Sequence, residues 1–453
     1  MPPREDDRLS GRVRRVAQVG VGLSSAALAV GANQLFGRGA SAGSARALAA
    51  ALGGVKGPLM KVAQMLATIP DLLPPEYALE LQGLQTNAPP MGWSFVKRRM
   101  RAELGEGWEN RFARFEREAA HAASLGQVHR ATAHDGRALA VKLQYPDMPS
   151  AVEADLIQLR AALAVFRAAE RSIDPTEAVA EVGDRLREEL DYAREAKAMR
   201  LYRRMLASEP GIRVPEPIDE LSTGRLLAMT WLEGARITDF KAAALPVRNA
   251  IAERLFAAWW RPMSAYGVIH GDPHLGNYAV AAPEQGSVDG SVLNLLDFGC
   301  IRIFPARFVA GVVGLYRALE TEDRAAQRAA YESWGFAGVS EALLDALNLW
   351  AQFIYGPILE DRERTVADGI SPGLYGRREA FAVRERLKLL GPVRIPREFV
   401  FMDRAAIGLG AAFLHLDAKL NFHALFEAAI EGFDAEKVAA RQQEALGEVG
   451  LTF

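Results

Sequence analysis

Cysteine is almost absent from this sequence. The single residue, Cys300, cannot form a disulfide within the chain, and this scarcity fits a reducing compartment. Dense runs of lysine or arginine interleaved with aromatic residues are also missing, and the formal net charge is only −2. Nucleic acid is therefore not expected as a partner.

A long run of large apolar side chains is missing as well. Residues 16–37 carry no charge and are long enough to cross a bilayer, but half of them are Gly, Ala or Ser. Basic residues precede this run, as in a signal peptide, whereas Val16, Val19, Leu23, Ala27 and Val30 recur at helical spacing. An amphipathic or packed helix is the first interpretation, contact with a membrane surface the second, and a cleaved or spanning segment the third.

The chain has an ordinary globular composition. Half of its 453 residues are apolar and 24% are charged, which favours a folded protein over a disordered one. The length exceeds the usual size of a single hydrophobic core, so two or three packed units are expected.

Short strands are predicted after residue 112. The segment HAASLGQVHRATAHDGRALAVKLQYP predicts a loop, a strand, an Asp-Gly turn and a second strand. The glycine loop of protein kinases, Gly-x-Gly-x-x-Gly-x-Val, aligns with residues 121–128, although only its third glycine, Gly126, is present. Lys142 follows fourteen residues after the aligned valine, at the position of the phosphate-binding lysine in that fold.

A carboxylate-rich helix is predicted over residues 186–205, LREELDYAREAKAMRLYRRM. The lysine of a kinase-like site needs a glutamate on a helix as its ion-pair partner. Spacing alone does not choose among the four candidates, which are Glu188, Glu189, Asp191 and Glu195.

The stretch VIHGDPHLGN, residues 268–277, resembles a kinase catalytic loop in its spacing. Four residues separate Asp272 from Asn277, as they separate the aspartate from the metal-binding asparagine of that loop. Asp-Phe-Gly follows, beginning at Asp297, after an apolar run that predicts a strand. Oxygen ligands from Asn277 and Asp297 beside phosphates indicate Mg²⁺.

A zinc site on His270 and His274 is the alternative interpretation of the same stretch. Pro273 and Gly276 disfavour the regular helix that would place both rings on one face. A third ligand at a recognisable spacing is also missing from the sequence. Magnesium is therefore preferred to zinc.

Six ordered motifs together resemble the UbiB family of atypical kinase-like proteins, which is linked to ubiquinone biosynthesis. The motifs are KVAQ (61–64), HAASLGQVH (121–129), AVKLQYP (140–146), EELDYAREA (188–196), HGDPHLGN (270–277) and LDFG (296–299). The resemblance runs from about residue 55 to at least residue 300. It implies an α+β, protein-kinase-like two-lobed fold with an alanine-rich loop in place of the glycine loop.

The resemblance changes the interpretation of Lys61 and Gln64. Alone, these residues share one face of a predicted helix over 55–84 and indicate an ordinary surface. By resemblance they belong to a Lys-x-Gly-Gln motif that covers the place where a protein kinase holds its peptide. They are expected to face Asp272 and the Glu-x-Asp pair, Glu189 and Asp191. Two departures from the family are Ala63, where glycine is usual, and His121, where the loop usually begins with alanine. Neither removes a catalytic residue.

The same resemblance assigns roles at the expected catalytic site. Lys142, oriented by Glu195, contacts the phosphates, and Asp272 orients the attacking hydroxyl or water. Asn277 and Asp297 hold Mg²⁺. ATP or ADP is expected to contact Lys142 and also Ala122, Ala123, Ser124, Gly126, Met229 and Trp231.

Four regions are expected along the chain. They are an N-terminal helical extension (1–88), a kinase-like N-lobe with a helical insert (89–235), a kinase-like C-lobe (236–345) and a C-terminal helical region (346–453). Residues 229–233 are expected to link the two lobes. An Ala-Pro-Glu sequence does not follow Asp-Phe-Gly, so a peptide-binding platform is not expected.

The expected function is that of an ATPase or phosphotransferase that supports isoprenoid-quinone biosynthesis. Its expected location is cytoplasmic, peripheral at the inner face of the cell membrane. Expected partners are a lipid or quinone-precursor small molecule, the membrane surface, ubiquinone-biosynthesis enzymes and a second copy of the chain. Two alternatives stay open: a small-molecule phosphotransferase of the aminoglycoside or choline kinase type, and a nucleotide-binding scaffold without turnover.

Overall fold

The computed structural model describes residues 90–122, 125–157, 176–281, 291–368, 386 and 396–452. These residues form two compact units. Unit 1 contains the described residues up to Ala196 and the segment Pro217–Trp231, whereas unit 2 contains Lys197–Glu216 and the described residues from Leu232 onward. The chain passes into unit 2 for the last time after Trp231, within the segment predicted to link two lobes.

Unit 1 is built on a four-stranded antiparallel sheet with the strand order β1-β2-β3-β5. Its strands are β1 (Arg114–Ala122), β2 (Gly126–Thr132), β3 (Ala138–Gln144) and β5 (Leu226–Thr230). The predicted hairpin between β2 and β3 is confirmed. Gly136 in its turn has φ +87°, a left-handed conformation that glycine adopts without strain. Asp135 Oδ1 accepts a hydrogen bond from the Arg137 amide at 3.0 Å.

The start of the alanine-rich loop differs from the sequence-based expectation. His121 and Ala122 were predicted in a loop, but they form the end of β1. They pair with Val128 and Gln127 of β2, because the β1–β2 ladder continues through two register shifts. Strand β1 therefore extends two residues further than predicted.

Unit 1 also contains helix α1 (Trp93–Leu104), helix α2 (Thr176–Glu189) and the beginning of helix α3 (Tyr192–Met205). Helix α1 packs Val96 and Met100 against Leu139, Val141 and Leu143 of β3 in one buried cluster. Successive side chains of a strand point to opposite faces of the sheet. Lys142 therefore lies on the face away from this cluster.

The helix predicted over residues 186–205 is two helices. The chain leaves α2 after Glu189 and enters α3 at Tyr192. Asp191 Oδ1 accepts a hydrogen bond from the Arg194 amide at 3.0 Å. An aspartate that satisfies a free amide of the first turn in this way is a favourable N-cap, so it begins a new helix where amphipathic spacing alone predicted continuity.

Unit 2 contains two small sheets. One has the order β4-β9-β8-β6, with β4 parallel to β9, and the other pairs β7 with β10 in antiparallel fashion. Their strands are β4 (Ile212–Arg213), β6 (Ala235–Arg236), β7 (Val268–His270), β8 (Tyr278–Ala281), β9 (Val292–Leu295) and β10 (Ile301–Ile303). The apolar run before Asp297 is thus a strand, as predicted.

Unit 2 also contains α-helices. They are α4 (Leu245–Tyr266), α5 (Ala306–Glu320), α6 (Arg324–Ser333), α7 (Glu341–Leu359), α8 (Arg397–Leu416), α9 (Phe422–Ile430) and α10 (Ala435–Val449). Aromatic side chains hold α4 against the C-terminal helices, since Trp260 meets Phe426 edge-on at 4.7 Å and Phe256 lies 6.3 Å from Phe422.

The predicted α+β class is confirmed. The boundary expected between residues 345 and 346 does not separate two elements, because α7 runs through it from a Ser340 cap to Leu359. Among the described residues, no helix combines the length and apolarity needed to cross a membrane. Residues 16–37 lie outside those residues.

Candidate functional site

Lys142 lies in the middle of β3, paired with Val128 of β2 and Leu227 of β5. Its ammonium group donates to both carboxylate oxygens of Glu195, at 2.7 and 2.9 Å. The Glu195 side chain is 1% exposed and that of Lys142 is 16% exposed. A buried carboxylate needs such a partner, because an unpaired charge loses its hydration without compensation.

The structure gives a different position to each of the four carboxylates among which spacing could not choose. Glu195 lies in the first turn of α3 and contacts Lys142. Asp191 caps α3, and Glu188 lies 3.8 Å from Arg194. Glu189, the last residue of α2, is half-buried. The contact expected between Lys142 and Glu195 is present.

Tyr192 also contacts the lysine, and the sequence-based reasoning missed it. The Lys142 ammonium nitrogen lies 5.1 Å from the centroid of the Tyr192 ring, within cation–π range. Tyr192 is 2% exposed and precedes Glu195 by three residues, so both side chains leave the same face of α3. That spacing within EELDYAREA was the signal available in the sequence.

Gly126 is the one glycine retained from the kinase-type loop, and the packing explains why. A Cβ at this position would lie 2.3 Å from the Leu143 carbonyl oxygen and 2.9 Å from the Tyr192 hydroxyl. A side chain at residue 126 is therefore excluded by a backbone atom that cannot move aside easily. Of the other predicted loop residues, Ala122 ends β1, and Ala123 and Ser124 lie outside the described residues.

Two further residues hold β3, the strand that carries Lys142, in place. No sequence pattern had indicated either of them. Gln144, the last residue of β3, donates its side-chain amide to the Leu190 carbonyl between α2 and α3. Arg99 of α1, 3% exposed, donates to the carbonyls of Gln144 at 3.3 Å and Tyr145 at 3.2 Å. The Gln144 bond ties β3 to the start of the helix that carries Glu195, and the Arg99 bonds tie the end of β3 to α1.

In unit 2, the catalytic-loop motif and the Asp-Phe-Gly motif are joined by backbone hydrogen bonds. The Gly271 amide donates to the Cys300 carbonyl at 2.7 Å, and the Leu296 amide donates to the Asn277 carbonyl at 2.9 Å. A Cβ at residue 271 would lie 2.6 Å from the Cys300 carbonyl oxygen. Glycine at this position thus allows the two segments to approach.

His270 connects the same two segments through its ring. Nδ1 accepts a hydrogen bond from the Asp272 amide at 3.3 Å. A backbone amide can only donate, so the proton of the neutral ring is on Nε2, which donates to the Asp297 carbonyl at 2.6 Å. His270 therefore orients the loops.

The zinc alternative finds no support in this geometry. Both nitrogens of His270 are used by the loops, and His274 Nδ1 accepts a hydrogen bond from the Gly276 amide at 3.1 Å. Within the described part of the chain, neither histidine belongs to a group of three side chains close enough to share a metal ion.

Oxygen ligands suited to Mg²⁺ are present instead. Asn277 Nδ2 donates to the Asp272 carbonyl at 2.9 Å, which leaves the Asn277 amide oxygen as the atom able to bind a cation. Asp297 Oδ1 accepts from the Gly299 amide at 2.9 Å, and this bond fixes the carboxylate. Hard oxygen atoms of this kind are what Mg²⁺ requires.

The remaining predicted site residues occupy varied positions. Met229 pairs with Ala140 in the sheet and is 5% exposed. The Trp231 amide donates to the Ala138 carbonyl at 2.9 Å, and the Arg130 guanidinium lies 5.0 Å from its ring. Lys61 and Gln64 lie outside the described residues, so their expected approach to Asp272, Glu189 and Asp191 stays a prediction.

The family profile of the ABC1 atypical kinase-like domain matches residues 83–330, more than half of the chain. The chain belongs to this family. The predicted membership in the UbiB group of kinase-like proteins is thereby confirmed, as is the kinase-like character of the fold. Helices α7 to α10 lie beyond the matched residues.

Two curated relatives illustrate the similarity. The mitochondrial atypical kinase COQ8 of Saccharomyces cerevisiae is 28% identical over 279 residues, which are 61% of this chain and 54% of the relative. The mitochondrial atypical kinase coq-8 of Caenorhabditis elegans is 30% identical over 315 residues, which are 66% of this chain and 41% of the relative. The chain spans about half the length of these proteins.

A solved structure resembles a larger share of the chain. The complex of Rv3197 with erythromycin from Mycobacterium tuberculosis is similar at 26% identity with a TM-score of 0.58. The similarity covers 89% of this chain and 96% of that one. It therefore extends beyond the residues that the family profile matches.

Proposed function

We propose that the chain binds Mg²⁺ with ATP or ADP and hydrolyses ATP or transfers its γ-phosphoryl group in support of isoprenoid-quinone biosynthesis. The Lys142–Glu195 ion pair is the observation that carries this proposal. Lysine and glutamate, far apart in sequence, form a buried pair of the kind that kinase-like proteins use for phosphates. Relatives named as atypical kinases COQ8 and coq-8 support the same function.

Each residue has a chemical task in this proposal. Lys142 donates to phosphate oxygens while Glu195 fixes the direction of its ammonium group. The Asp297 carboxylate and the Asn277 amide oxygen hold Mg²⁺, which neutralises phosphate charge when bound. Asp272, whose backbone is fixed by Asn277 and His270, accepts a hydrogen bond from the attacking hydroxyl or water.

Nucleotide binding and phosphate release test the proposal directly. The purified chain is titrated with ATP and ADP, with Mg²⁺ and with EDTA, and phosphate release is followed for wild type and Asp272→Asn. We expect Mg²⁺-dependent binding by both proteins and phosphate release by wild type alone. Binding without release in wild type would favour the scaffold alternative. Transfer to an aminoglycoside or choline acceptor would favour the small-molecule phosphotransferase.

The link to quinone lipids needs its own experiment. Phosphate release is measured with liposomes, with quinone-like phenols and with both, and the quinone content of a deletion strain is compared before and after complementation. Stimulation by liposomes and restored quinone content are expected for a protein that works at a membrane surface. An unchanged quinone content in the deletion strain would contradict the proposed pathway while leaving ATP hydrolysis possible.

A macrolide such as erythromycin is a second candidate ligand. The observation that favours it is the similarity to the structure solved with erythromycin, which covers 89% of this chain. Erythromycin added to the ATPase assay, and to a thermal-shift assay without nucleotide, distinguishes a macrolide-binding ATPase from one that responds to liposomes and phenols.

A further inference from the structure

Helix α8 of the C-terminal region lies against the catalytic-loop motif, and both belong to unit 2. A Cβ at Gly408, in the middle of this helix, would lie 2.6 Å from Cγ of Pro273 and 3.4 Å from its Cδ. Pro273 directly follows Asp272 in the chain. Glycine is a poor residue for a helix interior, so its presence here fits a steric requirement.

The same helix carries a second glycine that has no such requirement. At Gly410, a Cβ would meet nothing within 4 Å in the described part of the chain. The two glycines lie two residues apart on the same helix, so the main difference between them is that only Gly408 has Pro273 next to it. They form a natural pair for comparison.

Helix α8 also contacts the segment that follows Asp-Phe-Gly. The Arg302 guanidinium lies 5.2 Å from the centroid of the Phe401 ring. Arg302 belongs to β10, which pairs with β7 at the start of the catalytic-loop motif. The C-terminal end of α8 is held independently. Arg248 donates to the carbonyls of Leu416 and Asp417, each at 2.8 Å.

We infer that Gly408 is a positioning residue of the catalytic loop, acting through Pro273 on Asp272. The inference rests on the proposed function, and it assigns a role to a helix outside the residues matched by the family profile. The proline ring is rigid, so a methyl group at residue 408 displaces the Pro273 backbone or the helix. Either movement shifts Asp272 relative to Asn277, which donates to its carbonyl.

Four variants test this positioning: Gly408→Ala, Gly410→Ala, Pro273→Ala and the double variant Gly408→Ala/Pro273→Ala. Gly408→Ala is expected to lower kcat for phosphate release by about 10-fold or more, since small misplacements near a reacting group have large effects. Its Kd for ATP should stay within about 2-fold of wild type, because Lys142 is untouched. Gly410→Ala should match wild type in both constants.

The double variant decides whether Pro273 transmits the effect. Alanine at residue 273 keeps only Cβ, which lies 3.8 Å from the new methyl group, an ordinary contact distance. We therefore expect the kcat of the double variant to return to that of Pro273→Ala alone. A double variant as slow as Gly408→Ala, or a Gly408→Ala variant as fast as Gly410→Ala, would overturn the inference.

Hydrogen exchange separates failure of this inference from failure of the proposed function. The Gly276 and Asn277 amides donate to Nδ1 and the carbonyl of His274, within the catalytic-loop motif. Their exchange should accelerate in Gly408→Ala and return towards the Pro273→Ala rate in the double variant, whether or not the protein hydrolyses ATP. Unchanged exchange in Gly408→Ala would overturn the positioning role, whereas a wild type without turnover would overturn only the proposed function.

Discussion

The candidate site residues of the two units are held in different ways. In unit 1, Lys142 is held by another side chain, the buried carboxylate of Glu195. In unit 2, Asp272 and Asp297 lie on loops held by bonds that involve the backbone, from His270, Asn277 and Gly299. An ion pair couples function to stability, because removing one partner leaves a buried charge behind. When a loop is fixed through its backbone, one of its side chains can be substituted without unfolding the protein.

The largest expected effect on activity comes from a substitution in unit 2, Asp297→Asn, which should leave stability unchanged. Asp297→Asn keeps an oxygen that can accept from the Gly299 amide, so the loop should retain its shape. The lost charge weakens Mg²⁺ binding, and phosphate release should fall by about 10²- to 10³-fold. The free energy of unfolding should change by less than about 0.5 kcal/mol. Isothermal titration with Mg²⁺ and nucleotide, alongside thermal melts, measures both effects.

Asp239→Asn is a matched control in the same unit, since its exposed carboxylate pairs with Arg236 at 2.9 Å. It should keep wild-type Mg²⁺ affinity and turnover. Unchanged Mg²⁺ affinity in Asp297→Asn would remove Asp297 from the metal site.

Lys142→Met should affect both function and stability, in contrast to Asp297→Asn. Turnover should fall on the order of 10²-fold, because the phosphates lose their cation. Stability should fall as well, because the Glu195 carboxylate is buried. An unpaired carboxylate there should cost about 3 kcal/mol of unfolding free energy. Chemical denaturation and steady-state kinetics measure the two losses.

A double-mutant cycle separates these losses. Lys142→Met/Glu195→Gln removes the unpaired charge, so stability should recover in part while turnover stays low. Lys97→Met, on the exposed face of α1, should resemble wild type in both measurements. A double variant no more stable than Lys142→Met would show that the ion pair does not account for the stability of the lysine site.

A smaller effect is expected at Tyr192, which tests whether the ion pair acts alone. Tyr192→Leu removes the ring facing Lys142, and loss of a cation–π contact of about 1 kcal/mol should raise the Kd for ATP by about 5-fold. Tyr192→Phe keeps the ring and should bind ATP nearly as tightly as wild type. Equal affinities in the two variants would mean that the ring does not position the lysine.

The smallest effect concerns the pH dependence of unit 1. Burial lowers the pKa of His129, which stacks on Phe115 at 5.2 Å, despite the opposing hydrogen bond to the Glu116 carbonyl. Because the pKa of His129 is lower in the folded state, the unfolded chain takes up the proton at a higher pH as the pH falls. Stability should therefore fall as the pH drops from the ordinary histidine pKa, near 6.5, through the lower pKa of the folded state.

Thermal melts of wild type and His129→Gln across this pH range measure the effect. The difference between the two melting curves should change with pH, since only wild type carries the titrating ring. A pH-independent difference would exclude His129 as the cause.

The sequence by itself determined the features that depend on neighbouring residues. Alternating apolar residues and an Asp-Gly turn specified the β2–β3 hairpin, because backbone preference and side-chain alternation act over a few positions. The spacing of Asp272, Asn277 and Asp297 was likewise readable, since each lies on a short loop beside a predicted strand. The sequence also identified the family, although the metal and nucleotide roles of these residues stay predictions.

Only the tertiary structure decided the features that depend on packing between distant segments. It placed Glu195 against Lys142, a choice that the family resemblance implied but that spacing alone left open, because the cap at Asp191 begins α3 there and sets its direction. It also placed Gly408 against Pro273 and left Gly410 in open space. Both glycines look alike in sequence. What distinguishes them is the position of another segment of the chain, which no local preference of the helix specifies.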